Sequence, residues 1–87
     1  MSKKPWTEIR KKLHEKPDIL VGKNGITDSL VDEVKNQLKK KRILKVKFLR
    51  NIAQSKSDAL KLAEELAMRT NAKIGKVIGK TAILYKE

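Results

Sequence analysis

Between Leu44 and Phe48 apolar and charged residues alternate one for one: Leu44, Lys45, Val46, Lys47, Phe48. A period of two marks a β-strand whose faces differ, here one apolar and one basic. On both sides of this segment the spacing turns helical. Upstream, Leu30, Val31, Val34 and Leu38 share one helical face behind Thr27, a good N-cap. Downstream, Leu62, Ala63, Leu66 and Ala67 do the same. They follow Ser55 and Asp58, a capping box with Asp in place of Glu, and Asn71 is a C-terminal stop. A strand held between two amphipathic helices confines the chain to an α/β architecture.

The flanking segments complete the pattern. Trp6, Ile9 and Leu13 make one helical stripe, with Arg10, Lys11 and Lys12 off it. This predicts a short helix over 6–16, ended by Pro17, because the residue before proline avoids helical backbone. Ile19, Leu20 and Val21 read as a short strand buried on both faces. The next helix is expected over 28–41 and the alternating strand over 43–49. Residues 72–78 and 81–85 read as a hairpin turning at Gly79 and Lys80. The expectation is a small α-β-α-β-α-β-β sandwich with a four-stranded mixed sheet. Its second and third helices share a face, because crossovers are right-handed. Residues 1–5 are expected to be a flexible basic tail and residues 6–87 a single domain. Eighty-seven residues bury only about 60% of their unfolded surface, which leaves one core and no deep cofactor cleft.

Charge narrows the function. Lys and Arg number 22 and Asp and Glu 10, a formal net charge of +12. Segments 1–16, 17–29, 30–50, 51–71 and 72–87 carry +4, −1, +6, 0 and +3. The excess therefore lies at the ends and in the middle, and the third helix is neutral. That points to a polyanion partner, nucleic acid before an anionic membrane. There is no cysteine, which excludes disulfides and thiolate metal sites and fits a reducing, cytoplasmic setting. No apolar run is long enough to span a bilayer.

Catalytic chemistry is hard to assemble from this inventory. His14 is the only histidine and sits among charged residues as an exposed helix position. Asp28, Asp32 and Glu33 read as helix-start residues that suit the dipole. Ser55 and Ser57 have no partnering histidine nearby in sequence. The expectation is a protein that is not an enzyme and uses no metal or cofactor.

The stretch from Val21 to Thr27, Val-Gly-Lys-Asn-Gly-Ile-Thr, joins a strand to a helix N-terminus. Gly22 and Gly25 permit positive φ and close backbone approach. Free N–H groups at the helix start favour an anion, Lys23 adds a mobile cation, and Asn24 can hydrogen-bond a phosphate, sugar or base edge. Asp28 opposes an anion there. The plain alternative is that the two glycines only make a tight turn. The spacing is neither a Walker loop nor a Rossmann fingerprint. Lys39, Lys40 and Arg42 are candidate contacts or simply a solvated helix end. Lys45 and Lys47 either snorkel past a helix or form an open basic surface. With Trp6, Phe48 and Tyr85 the only aromatics, a stacking platform is disfavoured.

Two stretches about fifty residues apart carry a family resemblance: Leu20 to Thr27, with its Gly-Lys-Asn-Gly-Ile-Thr, and Val77 to Lys86, with its Ile-Gly-Lys-Thr-Ala-Ile-Leu-Tyr-Lys. With Val31 to Leu38 and Leu44 to Lys47, the sequence resembles the CRM domain family (chloroplast RNA splicing and ribosome maturation) in its stand-alone, YhbY-like form, over residues 6–86. The resemblance implies a fold like the C-terminal domain of a bacterial initiation factor. It implies RNA binding by Gly22, Lys23, Asn24 and Gly25, with Lys45, Lys47 and Lys80 as further basic contacts. It also implies association with precursor large ribosomal subunits. Lys86 stands where the family usually has arginine, which removes a planar bidentate donor there.

The sequence thus points to a non-enzymatic, monomeric binder of structured RNA, large-subunit rRNA or its precursor, with no small-molecule substrate. The alternatives are an Alba-like basic chromatin protein on duplex DNA, or a membrane-surface protein using its first helix.

Overall fold

The computed structural model describes residues 4–86, so most of the expected tail, residues 1–3, lies outside the described residues. Lys4 and Pro5 run against the fold. The Lys4 ammonium donates to the Gly75 carbonyl at 3.3 Å and sits 5.5 Å from the centre of the Trp6 ring. The elements are α1 (Trp6–Leu13), β1 (Ile19–Val21), α2 (Asp28–Lys41), β2 (Ile43–Phe48), α3 (Lys56–Thr70), β3 (Lys73–Ile78) and β4 (Thr81–Tyr85). This is the order expected from the sequence.

The strands form one sheet in the order β1-β2-β4-β3. β1 pairs parallel with β2, while β4 pairs antiparallel with both β2 and β3, a mixed sheet. The two crossover helices, α2 and α3, share one face. There Leu44, Val46 and Phe48 of β2 and Ala82 and Leu84 of β4 meet Val31, Val34 and Leu38 of α2 and Ala59, Ala63 and Leu66 of α3. The alanines on α3 keep that helix close to the sheet. Phe48 is fully buried, and truncating such a residue to Ala costs about 3–5 kcal/mol.

The helix ends follow the local chemistry. The Leu30 N–H donates to the Thr27 hydroxyl at 3.1 Å. At α3 the Asp58 N–H donates to Ser55 Oγ, and the shorter Asp58 carboxylate accepts from Gln54 rather than from Ser55. Asn71 closes α3 at φ +57, as expected. Arg42 closes α2 at φ +65, without the usual glycine. Its backbone is fixed on both sides, donating to Leu38 and accepting from the Lys86 N–H at 2.8 Å.

The second face carries α1 alone, and here the structure departs from three expectations. First, α1 ends at Leu13 rather than near residue 16. The Lys45 ammonium takes the carbonyls of Leu13 and Glu15, at 2.8 and 2.7 Å, and the chain turns there toward Pro17. Second, the stripe does not bury Trp6, which stays half exposed, and Lys12 is buried instead because it has an acidic partner. Third, β1 is buried on one face only. It is an edge strand beyond the reach of α1, so Leu20 is 59% exposed. Ile9 fills the small core of this face beside Ile83, both fully buried. The β3–β4 register shifts between Ile74 and Lys76 and leaves Gly75 as the extra residue. A Cβ on Gly75 would lie 2.7 Å from Ile9 Cδ1, so glycine at this bulge makes room for the helix.

Candidate nucleic-acid interface

The loop between β1 and α2 starts where the sheet stops pairing. Val21 accepts its last ladder bond from the Leu49 N–H at 2.8 Å. The Gly25 N–H then donates to the Gly22 carbonyl at 2.9 Å, closing a β-turn with Lys23 and Asn24 at its two central positions. Gly25 has φ +70, and a Cβ there would press on Ile52 Cδ1 at 3.3 Å. Glycine at this corner is thus required by backbone conformation and space together. Lys23 and Asn24 are exposed, and among the described residues no group accepts either of their N–H groups.

Two other connections meet the turn at this end of the sheet. The 49–53 segment is pinned by the Ile52 and Ala53 N–H groups, both donating to the Leu49 carbonyl, and it leaves Arg50 and Asn51 exposed. The β3–β4 turn is tied in by the Phe48 N–H, which donates to the Lys80 carbonyl at 2.8 Å. Lys47, one residue from the end of β2, is exposed on the α1 side. Lys23, Lys47, Arg50 and Lys80 therefore share one end of the molecule. The acid expected to oppose an anion here, Asp28, is 98% exposed, but the Arg69 guanidinium holds it at 2.8 Å. The same guanidinium donates to the Ile26 carbonyl at 3.0 Å, fastening the far side of the loop to α3.

The other sequence-selected cations lie elsewhere. Lys39 and Lys40 occupy the last turn of α2, and Arg42 caps it. They sit by the start of β2, five residue steps or about 17 Å from the loop end. Lys45 is committed to α1. Of the ten residues singled out, the loop end gathers Gly22, Lys23, Asn24, Gly25, Lys47 and Lys80. Arg50 and Arg69 also stand at this end, outside the set expected from the sequence. Arg50 has a local signal, since it comes two residues after the end of β2 and precedes Asn51. Arg69 has none, because it meets its loop partner 43 positions away. Lys86, in place of the family arginine, lies with Arg42 at the opposite end, so that departure leaves the turn untouched.

A partly buried network holds several more charges. The Asp18 carboxylate accepts from Lys12 Nζ and Lys41 Nζ, each at 3.0 Å, and from the Lys45 N–H at 2.9 Å. Burial alone pushes the Asp18 carboxyl up. The Lys45 N–H and the two ammonium groups outweigh it and hold Asp18 below the ordinary carboxylate range. Burial likewise pushes Lys12 down, and its bonds to Asp18 and Glu15 outweigh that and raise it. Among the described residues no three His, Cys, Asp or Glu side chains gather to hold a metal, and no helix is long and apolar enough to cross a membrane.

Fold and site together define a small, strongly basic α/β domain with a glycine-bounded turn at its cationic end. The sequence profile of the CRS1 / YhbY (CRM) domain matches residues 1–86, and the chain belongs to that family. It is 32% identical over 80 residues to Probable RNA-binding protein YqeI of Bacillus subtilis, covering 91% of this chain and 80% of that one. It is 34% identical over 79 residues to Probable RNA-binding protein MJ0652 of Methanocaldococcus jannaschii, covering 90% of this chain and 58% of that longer protein. The solution structure of the hypothetical protein SAV1595 from Staphylococcus aureus superposes with a TM-score of 0.74 at 26% identity, covering 91% of this chain and 79% of that one. The expected family and fold are both found.

Proposed function

We propose that this chain is a non-enzymatic binder of structured RNA that acts through the Gly22–Gly25 turn. The observation that carries the reading is the turn itself. The Lys23 and Asn24 N–H groups have no acceptor among the described residues, and Lys47, Arg50 and Lys80 belong to the same end of the sheet. A phosphate oxygen accepts from such N–H groups, and the lysines neutralise neighbouring phosphates. Kinship with proteins named as RNA binding makes RNA the polyanion of choice. Lysine acts as a point charge rather than a planar fork, so affinity comes from phosphates and selectivity from RNA shape.

The proposed target is large-subunit rRNA or its precursor, met by a monomer in the cytoplasm during ribosome assembly or on the ribosome. Lys39, Lys40 and Arg42, about 17 Å away, are proposed to meet a second stretch of backbone. Crosslinking in cells followed by sequencing of the attached RNA tests the target. Reads concentrated at one large-subunit rRNA site support it, and reads scattered over messenger RNA contradict it.

A further inference from the structure

On the α1 side, one row of the sheet escapes the helix. Strand register aligns Leu20 of β1 with Lys47 of β2, Lys47 with Thr81 of β4, and Thr81 with Ile78 of β3. All four side chains share the face opposite the core cluster. Leu20 is 59% and Ile78 47% exposed, large apolar side chains left in water at the cationic end. Beside them the C-terminal half of α1 and the β3–β4 hairpin enclose a groove of about 350 Å³. Arg10, Leu13, His14, Lys45, Ile78 and Thr81 line it. Its floor is apolar, from Leu13 and Ile78, and its rim carries a guanidinium, an imidazole and a hydroxyl.

None of those six residues is acidic. Two other depressions on the surface each include a carboxylate, Glu8 in one and Asp58 in the other. A groove that combines an apolar floor, planar cationic or aromatic groups and no carboxylate suits a flat, polar-edged ring attached to a phosphate chain. The Arg10 and His14 planes offer stacking surfaces, and Thr81 offers a hydrogen bond to a base edge. Lys80, next to Thr81 in the hairpin, and Lys47, its register partner, stand where the flanking phosphates would pass. From β1, where the Gly22–Gly25 turn departs, to β3 is three strand spacings, about 14 Å, a span of a few nucleotides.

We infer that this groove receives one unpaired RNA base, while the Gly22–Gly25 turn holds the backbone a few nucleotides away. The inference rests on the RNA-binding reading above and adds to it. The favoured ligand is then not a perfect duplex but a helix interrupted by a bulged or looped-out nucleotide. Paired bases are locked in their stack and cannot enter the groove.

The full chain is titrated with two RNA hairpins that differ in one feature, a single unpaired 2-aminopurine nucleotide in the stem of one and none in the other. The expected result is about tenfold tighter binding of the bulged hairpin, about 1.4 kcal/mol, with a change in 2-aminopurine emission on binding. Ile78→Ser and His14→Ala should each reduce the preference at least threefold. Neither should change affinity for the paired hairpin. His14 is exposed, so its variant keeps the test valid if Ile78→Ser fails to fold. Equal affinity for the two hairpins, or a preference that survives both substitutions, overturns the inference. Lys23→Glu separates the two levels. If it weakens both hairpins alike while the groove variants do nothing, the groove assignment falls and the RNA-binding reading stands. If it changes neither, the reading itself falls.

Discussion

The Lys45 ammonium donates to the Leu13 carbonyl at 2.8 Å, so a lysine from the centre of the sheet closes the C-terminal end of α1. Its neighbour two residues on, Lys47, has the same orientation and stays exposed. The alternating strand therefore holds one structural and one available lysine. Lys45→Met should destabilise the fold by about 1–2 kcal/mol, through lost capping of α1 and two orphaned carbonyls. Lys47→Met should stay within about 0.5 kcal/mol of the parent. It should instead lower the slope of log affinity against log salt by about 1, one phosphate contact. Urea unfolding and RNA titration over a salt series read the two effects. The reverse pattern would mean that the roles are exchanged.

Asp18 gathers two ammonium groups and a backbone N–H in a site where both it and Lys12 are nearly out of water. Asp18→Asn leaves Lys12 with only the exposed Glu15 carboxylate at 3.2 Å and should cost about 1–3 kcal/mol by chemical denaturation. The pH dependence follows from the direction of each shift. Asp18 is held below its ordinary 3.8, so its contribution is present above that pH and is lost as pH falls toward the lower folded value. Lys12 is raised above its ordinary 10.5, so its contribution is present below that pH and is lost as pH rises past it. Unfolding followed from pH 6 down to 2 should show the parent losing more stability than Asp18→Asn. Equal slopes would remove Asp18 from the acid limb.

Gly75 is a glycine because Ile9 occupies the space of its missing Cβ. Gly75→Ala should destabilise by about 1–3 kcal/mol through overpacking beneath α1. Ile9→Val, which removes the colliding Cδ1, should recover part of that loss in the double variant. A strictly additive double-mutant cycle would show that the two positions do not compete for space.

The two long helices and β2 were legible in the sequence because each follows a clean period, and the terminal hairpin because Gly79 and Lys80 mark its turn. Val34 and Leu38, and Leu44 with Val46, could face nothing but a core. Thr27, Ser55 and Asn71 marked helix ends because their side chains or backbone preferences act locally. The placement of α1 was less legible. Lys12 reads as a solvent residue until Asp18, six positions later, folds back against it. Leu20 reads as core because an edge strand and a central strand share the same composition. Gly22 to Gly25 was legible as a turn, since glycine spacing is a local signal. The grouping of Lys47 and Lys80 with it depends on register, and the remoteness of Lys39, Lys40 and Arg42 depends on the direction in which α2 runs. Neither of these is written in nearby residues.

The central claim is that the Gly22–Gly25 turn holds the RNA backbone, and Lys23 is the side chain at its tip. Lys23 is exposed, so Lys23→Glu should unfold at the same urea midpoint as the parent. At the same ionic strength its affinity for a structured RNA should fall at least tenfold, about 1.4 kcal/mol, by replacing an attraction with a repulsion. A folded Lys23→Glu protein that binds that RNA as tightly as the parent would contradict the account.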